Sequence, residues 1–155
     1  MSAIEMSHPP AIVLRTINPI LRGVLRTPLG GRITEFMLVG FTGRKSGRGF
    51  AVPVSAHHLD GDLYVVLEAQ WKYNFRDGAD AQVSYRGATS PMHGTLITDR
   101  AAVVDVVDRL TRAYGPKKAQ RMMGMKFPAE QAPTREQWDE AVGRLKIAAI
   151  RLTPR

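Results

Sequence analysis

The sequence predicts an α+β domain whose mainly antiparallel strands, about six of them, close into a barrel or a Greek-key sheet. Three observations predict it. Short runs rich in β-branched and aromatic residues follow one another through glycine-containing turns from residue 33 to residue 98. Helical periodicity is confined to the start of the chain and to residues 100–145. Strands and helices do not alternate, which disfavours a doubly wound parallel sheet.

The elements follow in order. Residues 1–9 read as a flexible tail. Residues 10–27 read as a helix in which Val13, Leu14, Ile17, Ile20, Leu21, Val24 and Leu25 share one broad face. Arg15, Arg22 and Arg26 form a narrow stripe opposite. Asn18 and Pro19 suit an N-cap and a first helical position, and Pro28, Gly30 and Gly31 end the helix. Residues 33–42 form a first strand. Residues 48–59 form a second, with Phe50, Val52, Val54 and Ala56 on one face, and Pro53 marks it as an edge or a bulge. Asp60-Gly61 is a hairpin signal before a third strand over 62–68. A short helix over 70–77 precedes strands at 80–86 and 91–98. Asp99 caps a helix over 100–114, and Gly115-Pro116 ends it. A second short helix covers 117–125. Thr134 and Gln137 fit a capping box ahead of Trp138, Ala141, Val142 and Leu145. A last strand spans 146–152. The division is thus a tail and basic helix over 1–32 and one barrel domain over 33–155.

Composition narrows the function. The 155 residues are 44% hydrophobic and 23% charged, which is ordinary for a globular domain and excludes long disorder. The absence of cysteine excludes a disulfide framework, a thiolate metal site, an iron–sulfur cluster and a cysteine nucleophile. His57 and His58 are neighbours on a strand and point to opposite faces, and His93 stands alone, so no metal site is expected. The first residues lack the basic head and apolar run of a signal peptide, so a cytoplasmic location is the expectation.

The net charge of +8 calls for an anionic partner. Residues 1–55 hold seven basic and two acidic side chains, so they carry +5 of it. No helix-turn-helix, zinc-finger or aromatic strand motif points to nucleic acid. For the helix over 10–27 three uses stay open: capping the barrel, lying on an anionic membrane surface, or docking a partner.

Two segments carry chemistry. Gly43-Arg44-Lys45-Ser46-Gly47-Arg48-Gly49 places three cations, a hydroxyl and three glycines between two strands. Such a turn either exposes backbone N–H groups to a phosphate or carboxylate or is a solvated hairpin tip. It is not a Walker loop, whose spacing and following helix are absent. In the second segment, Trp71 and Asn74 share a helical face. They either meet a flat ring or plug the core. Met122, Met123 and Met125 suit an adaptable pocket wall or a core patch.

Together the run Thr42-Gly43-Arg44-Lys45-Ser46-Gly47, the following Pro53 and the pair Trp71-x-x-Asn74 resemble the deazaflavin-dependent nitroreductase family of actinobacteria. The resemblance covers residues 10–152. It implies the split β-barrel shared with pyridoxamine-phosphate oxidase-like flavoproteins, and an oxidoreductase passing hydride from reduced coenzyme F-420 to a quinone, a nitroaromatic or an activated alkene. By position, Arg44, Lys45 and Ser46, with Gly47 and Arg48 beside them, would hold the cofactor's phosphate. Pro53 would line the deazaflavin, and Trp71 and Asn74 would shape the adjoining pocket. Tyr114 would donate a proton or stack on substrate, or else sit on the core rim. A homodimer is a further expectation of the likeness.

The chain also departs from the family. Phe50 stands where another arginine is usual, with Arg48 a nearby substitute. Ala69-Gln70 replaces a Ser-Lys pair, and the linker before Trp71 is short. The alternatives are therefore a split-barrel protein that carries a lipid, a haem or another apolar ligand in a degraded site, or an FMN-dependent relative.

Overall fold

The computed structural model describes residues 4–6, 34–128 and 130–155. The helix expected over 10–27, with its arginine stripe, lies outside the described residues. Strand β1 (Glu5–Met6) comes first, then β2 (Phe36–Thr42), β3 (Gly49–Ser55), β4 (His57–Leu59) and β5 (Asp62–Leu67). A 3-10 helix, η1 (Gln70–Phe75), leads into β6 (Ala79–Tyr85) and β7 (Ala88–Ile97). Helices α1 (Arg100–Tyr114) and α2 (Pro116–Met123) precede β8 (Met125–Lys126), α3 (Arg135–Leu145) and β9 (Ala148–Pro154).

Seven strands form one antiparallel sheet in the order β3-β2-β6-β7-β9-β5-β4. The sheet is curled into a half barrel, consistent with the split-barrel form. One residue explains the curl. The expected single strand over 48–59 is two strands on opposite edges of the sheet, divided only at Ala56, whose N–H donates to the Glu35 carbonyl at 2.8 Å. Two edges joined by one residue cannot lie far apart, so the sheet bends round to bring them together. The β2–β3 register runs one to one from Phe36↔Ser55 to Thr42↔Gly49 without a bulge, and Pro53 sits on the edge strand opposite Leu38.

The alternation of each strand divides the core into two clusters. Met37, Val39, Phe41, Val65, Leu67, Val83, Ile150 and Leu152 fill the inside of the curl, joined by Phe75 from η1. Tyr64 and Ala149 point the other way, against Val103, Val107 and Leu110 of α1 and Trp138 and Val142 of α3. The caps are as the sequence predicts. Asp99 accepts from the Ala102 N–H, and Thr134 and Gln137 close a capping box. Met122, Met123 and Met125 are buried, the last two in the helical cluster.

Three further expectations are corrected. Residues 4–6 are not tail: Ile4 is buried, and β1 pairs with β8 through Glu5↔Lys126 and Met6↔Met125. The helix over 70–77 is the shorter 3-10 helix. The strand expected over 91–98 starts at Ala88, because Arg86 and Gly87 both take positive φ and turn the chain in two residues.

His57 is buried at the β3–β4 junction, and its Nδ1 lies 2.7 Å from the Tyr114 hydroxyl. Burial, with His58 adding a little, pushes its pKa down from 6.5 to about 4. The unfolded chain therefore takes up this proton first. The stabilisation is complete above about pH 6.5 and is lost as pH falls towards 4, by roughly 3 kcal/mol. In an NMR titration the His57 ring should stay neutral until close to pH 4, and a midpoint near 6.5 would contradict its burial.

Candidate functional site

The β2–β3 loop is a single tight turn. The Gly43 N–H donates to the Arg48 carbonyl at 2.8 Å and the Gly47 N–H to the Gly43 carbonyl at 3.0 Å. Ser46 Oγ accepts from the Arg48 N–H at 3.2 Å, which leaves the Ser46 hydroxyl proton available to a ligand. Gly43 allows the turn to pack: a Cβ there would lie 2.8 Å from Phe50 Cε2 and 2.9 Å from Ser46 Oγ.

Helix η1 docks against this turn through Asn74. Its Oδ1 accepts from the Arg44 N–H at 2.9 Å, and its Nδ2 donates to the Trp71 carbonyl at 2.8 Å. The Trp71-x-x-Asn74 spacing is thus the span of that second bond. Lys72 anchors the other side of η1. It is buried, and its Nζ donates to the carbonyls of Glu68 and Lys146, each at 2.8 Å. Burial lowers its pKa. Trp71 stacks on Phe41 (centroids 5.3 Å, planes 18° apart) and Phe41 on Phe50 (5.6 Å, 23°), while Phe75 meets Phe41 edge-on.

Between turn and helix lies a cleft of about 800 Å³, lined by Gly43, Arg44, Lys45, Ser46, Phe50, Gln70, Tyr73, Asn74, Arg76 and Asp77. Three of these side chains are cationic and one is anionic. The Arg44 guanidinium reaches the Tyr73 carbonyl at 3.4 Å and the Asp77 carboxylate at 3.6 Å. Both are longer than the ~2.7–2.9 Å of a strong charge-assisted bond, so the guanidinium is open to exchange for a better acceptor. The N–H groups of Lys45 and Ser46 have no hydrogen-bond partner among the described residues. Two consecutive free N–H groups, a hydroxyl and flanking cations match the needs of a phosphate or carboxylate.

Of the residues singled out in sequence, Arg44, Lys45, Ser46 and Asn74 meet in this cleft. Gly47 and Arg48 belong to the same turn, Gly47 with φ of 69°. Trp71 stands behind it in the ring stack. Pro53 does not line it and pairs with Leu38 on the opposite face of β3 from Phe50. Tyr114 lies elsewhere. It lines a recess of about 610 Å³ with Gly115, Pro116, Lys117, Lys118 and Arg121, and that recess shares no described residue with the cleft. Burial pushes the Tyr114 pKa up to about 12, so it holds its proton at neutral pH. Every described histidine ring is engaged: His57 by Tyr114, His58 by Tyr85 at 2.8 Å and His93 by Asp80 at 3.2 Å.

Sequence reasoning passed over Tyr73, Arg76 and Asp77 as cleft residues. Their signal was proximity to Asn74, since a residue that latches a turn brings its neighbours to the same wall.

Fold and cleft define the class, a split-barrel domain with a cationic cleft at the β2–β3 turn. No protein-family model matches the chain, and no curated protein matches it. Among solved structures it is similar to an FAD- and haem-binding protein from Mycobacterium smegmatis, with 16% identity and a TM-score of 0.46 over 98% of this chain and 68% of that one. A conserved hypothetical protein from Mycobacterium tuberculosis gives 12% and 0.46 over 97% and 82%. A pyridoxamine 5′-phosphate oxidase-related, FMN-binding protein from Nostoc punctiforme gives 13% and 0.45 over 96% and 83%. Likeness of this degree says nothing about ligand or activity.

The Asn74 latch has a direct test. Asn74→Ala removes both bonds and should cost about 1–3 kcal/mol in urea denaturation. It should also speed hydrogen exchange at the Arg44 amide. Asn74→Asp keeps the acceptor for Arg44 and should preserve that protection. Unchanged exchange in Asn74→Ala would refute the latch.

Proposed function

We propose that this protein is an oxidoreductase that holds reduced coenzyme F-420 by its phosphate in the Arg44-Lys45-Ser46 turn and serves a small apolar acceptor such as a quinone, a nitroaromatic or an activated alkene. The observation that carries the reading is one of placement. The two segments responsible for the family resemblance are about thirty residues apart in sequence, yet they build the two walls of one cleft.

The residues present suit the group. Lys45 and Arg44 supply charge to the cofactor's phosphate. The Lys45 and Ser46 amides and the Ser46 hydroxyl supply directed donors that fix its orientation. Asn74 holds these donors still by fastening the turn to η1, so little ordering remains to be done on binding. When bound, the deazaflavin supplies the hydride; the protein supplies position and electrostatics. No strongly acidic side chain is required, and Tyr114, tied to His57 in a separate recess, is left out of the clamp.

FMN is the second reading, because its phosphate asks for the same donors. The purified protein should be titrated with F-420 and with FMN, following their fluorescence. Binding of one of them below tens of micromolar is expected. Arg44→Ala combined with Lys45→Ala should weaken it at least about a hundredfold, through loss of two charge-assisted contacts of ~1.5–3 kcal/mol each. Equal affinity in the double variant would reduce the turn to a hairpin tip, and no binding of either compound would sink the reading.

A further inference from the structure

Asp77 is the one acidic side chain that lines the cationic cleft among the described residues. Its main chain is fixed, whereas its carboxylate is free to move. The Gly78 N–H donates to the Phe75 carbonyl at 3.0 Å, and Gly78, with φ of 82°, turns the chain into β6. A Cβ at Gly78 would lie 2.7 Å from His93 Nε2, so the turn is packed from the far side as well. Asp77 thus leaves the end of η1 at a set place, while its side chain is 82% exposed.

Arg44 is held by this same end of η1 in two ways. Its N–H donates to Asn74 Oδ1 at 2.9 Å. Its guanidinium lies 3.4 Å from the Tyr73 carbonyl, which already accepts from the Arg76 N–H, and 3.6 Å from the Asp77 carboxylate. Of the three cleft cations, only Arg44 has an acidic partner among the described residues; Arg76 lies over the Tyr73 ring instead. A phosphate that takes the Lys45 and Ser46 N–H groups gains donors that nothing described occupies. To take the Arg44 guanidinium as well, it has to replace a carboxylate.

We propose that Asp77 is a tethered counter-ion for Arg44: it holds the guanidinium against η1, yields it to the ligand's phosphate on binding and takes it back on release. The inference rests on the cleft being an anion clamp. The exchange swaps one ionic contact for another and moves no proton. It makes Asp77 a specificity-determining residue. An anion that meets Arg44 alone gains little over Asp77. A phosphate, with oxygens on several sides, meets Arg44 and the turn's amides together.

The test measures the affinity of FMN and of F-420 by fluorescence, and of inorganic phosphate by the Lys45 and Ser46 amide shifts, with riboflavin as the phosphate-free control. Asp77→Asn keeps the shape and removes the charge. It should tighten the phosphate-bearing probes about fivefold, the most an exposed ion pair of this kind withholds, and leave riboflavin unchanged. Asp77→Glu keeps the charge and should stay within about twofold of the wild type. In the Arg44→Ala background the gain from Asp77→Asn should fall below about twofold, because the contact to be exchanged is gone. Affinity of Asp77→Asn unchanged or weaker than wild type would show a carboxylate that merely orients Arg44 or does nothing. An equal gain with and without Arg44, or one shared by riboflavin, would show general repulsion or a change of cleft shape. Each of these overturns the counter-ion and leaves the clamp standing. A wild type that takes up none of the phosphate-bearing probes overturns both.

Discussion

The fold depends on a connection one residue long. β3 and β4 lie on opposite edges of a seven-stranded sheet, yet only Ala56 separates them. A flat sheet of seven strands spans roughly 30 Å at ~4.8 Å per strand, far beyond the ~3.8 Å that one peptide step covers. The sheet must curl until its edges meet. The curl gives it an inside, and Met37, Val39, Val65, Val83, Ile150 and Leu152 fill that inside by strict alternation along their strands. The opposite faces of β5 and β9 then face outwards and need a cover, which α1 and α3 provide.

The site follows from the same geometry. A curled sheet contributes aromatic side chains to its own end. η1 supplies Phe75 to the interior and stacks Trp71 on Phe41. Lys72 fixes η1 to the end of β5 and the start of β9, where its ammonium satisfies two carbonyls. With η1 so placed, Asn74 reaches the β2–β3 turn and the Arg44 amide. The cationic cleft is therefore a product of barrel closure. The remaining surface charge is organised differently. Many arginines are paired with acids, as Arg109 is with Asp60, Arg151 with Asp62, Arg144 with Glu140 and Arg121 with Glu35. Among the described residues of the cleft only Asp77 stands against Arg44, Lys45 and Arg76.

Much of this was legible in the sequence, for local reasons. Asp99, Thr134 and Gln137 announce helix starts because capping is a matter of three or four residues. The Gly43–Gly47 turn and the hairpin at Asp60-Gly61 are equally local. The break at Ala56 was hidden because Phe50, Val52, Val54 and Ala56 keep an unbroken two-residue period. Alternation tells which face a residue takes and nothing about which strand it pairs with. The pairing of Glu5–Met6 with Met125–Lys126 spans most of the chain, and no local pattern marks it. For Asn74, the bond back to Trp71 was implicit in the spacing, whereas the bond to Arg44 crosses thirty residues and required the fold. Pro53 read correctly as an edge residue. Tyr114 was placed correctly at a helix end, but its partner His57 comes from the strand that the sequence did not divide.

The central claim is that the Lys45–Ser46 turn is an anion clamp for a phosphate-bearing ring cofactor. Its most direct test is the chemical shift of backbone amides on addition of FMN or F-420 to isotopically labelled protein. The largest changes should fall on the Lys45 and Ser46 N–H groups, displaced as they gain an acceptor, with Tyr114 and the helical cluster unmoved. Changes centred on Tyr114, Lys117 and Lys118, with Lys45 and Ser46 silent, would contradict it.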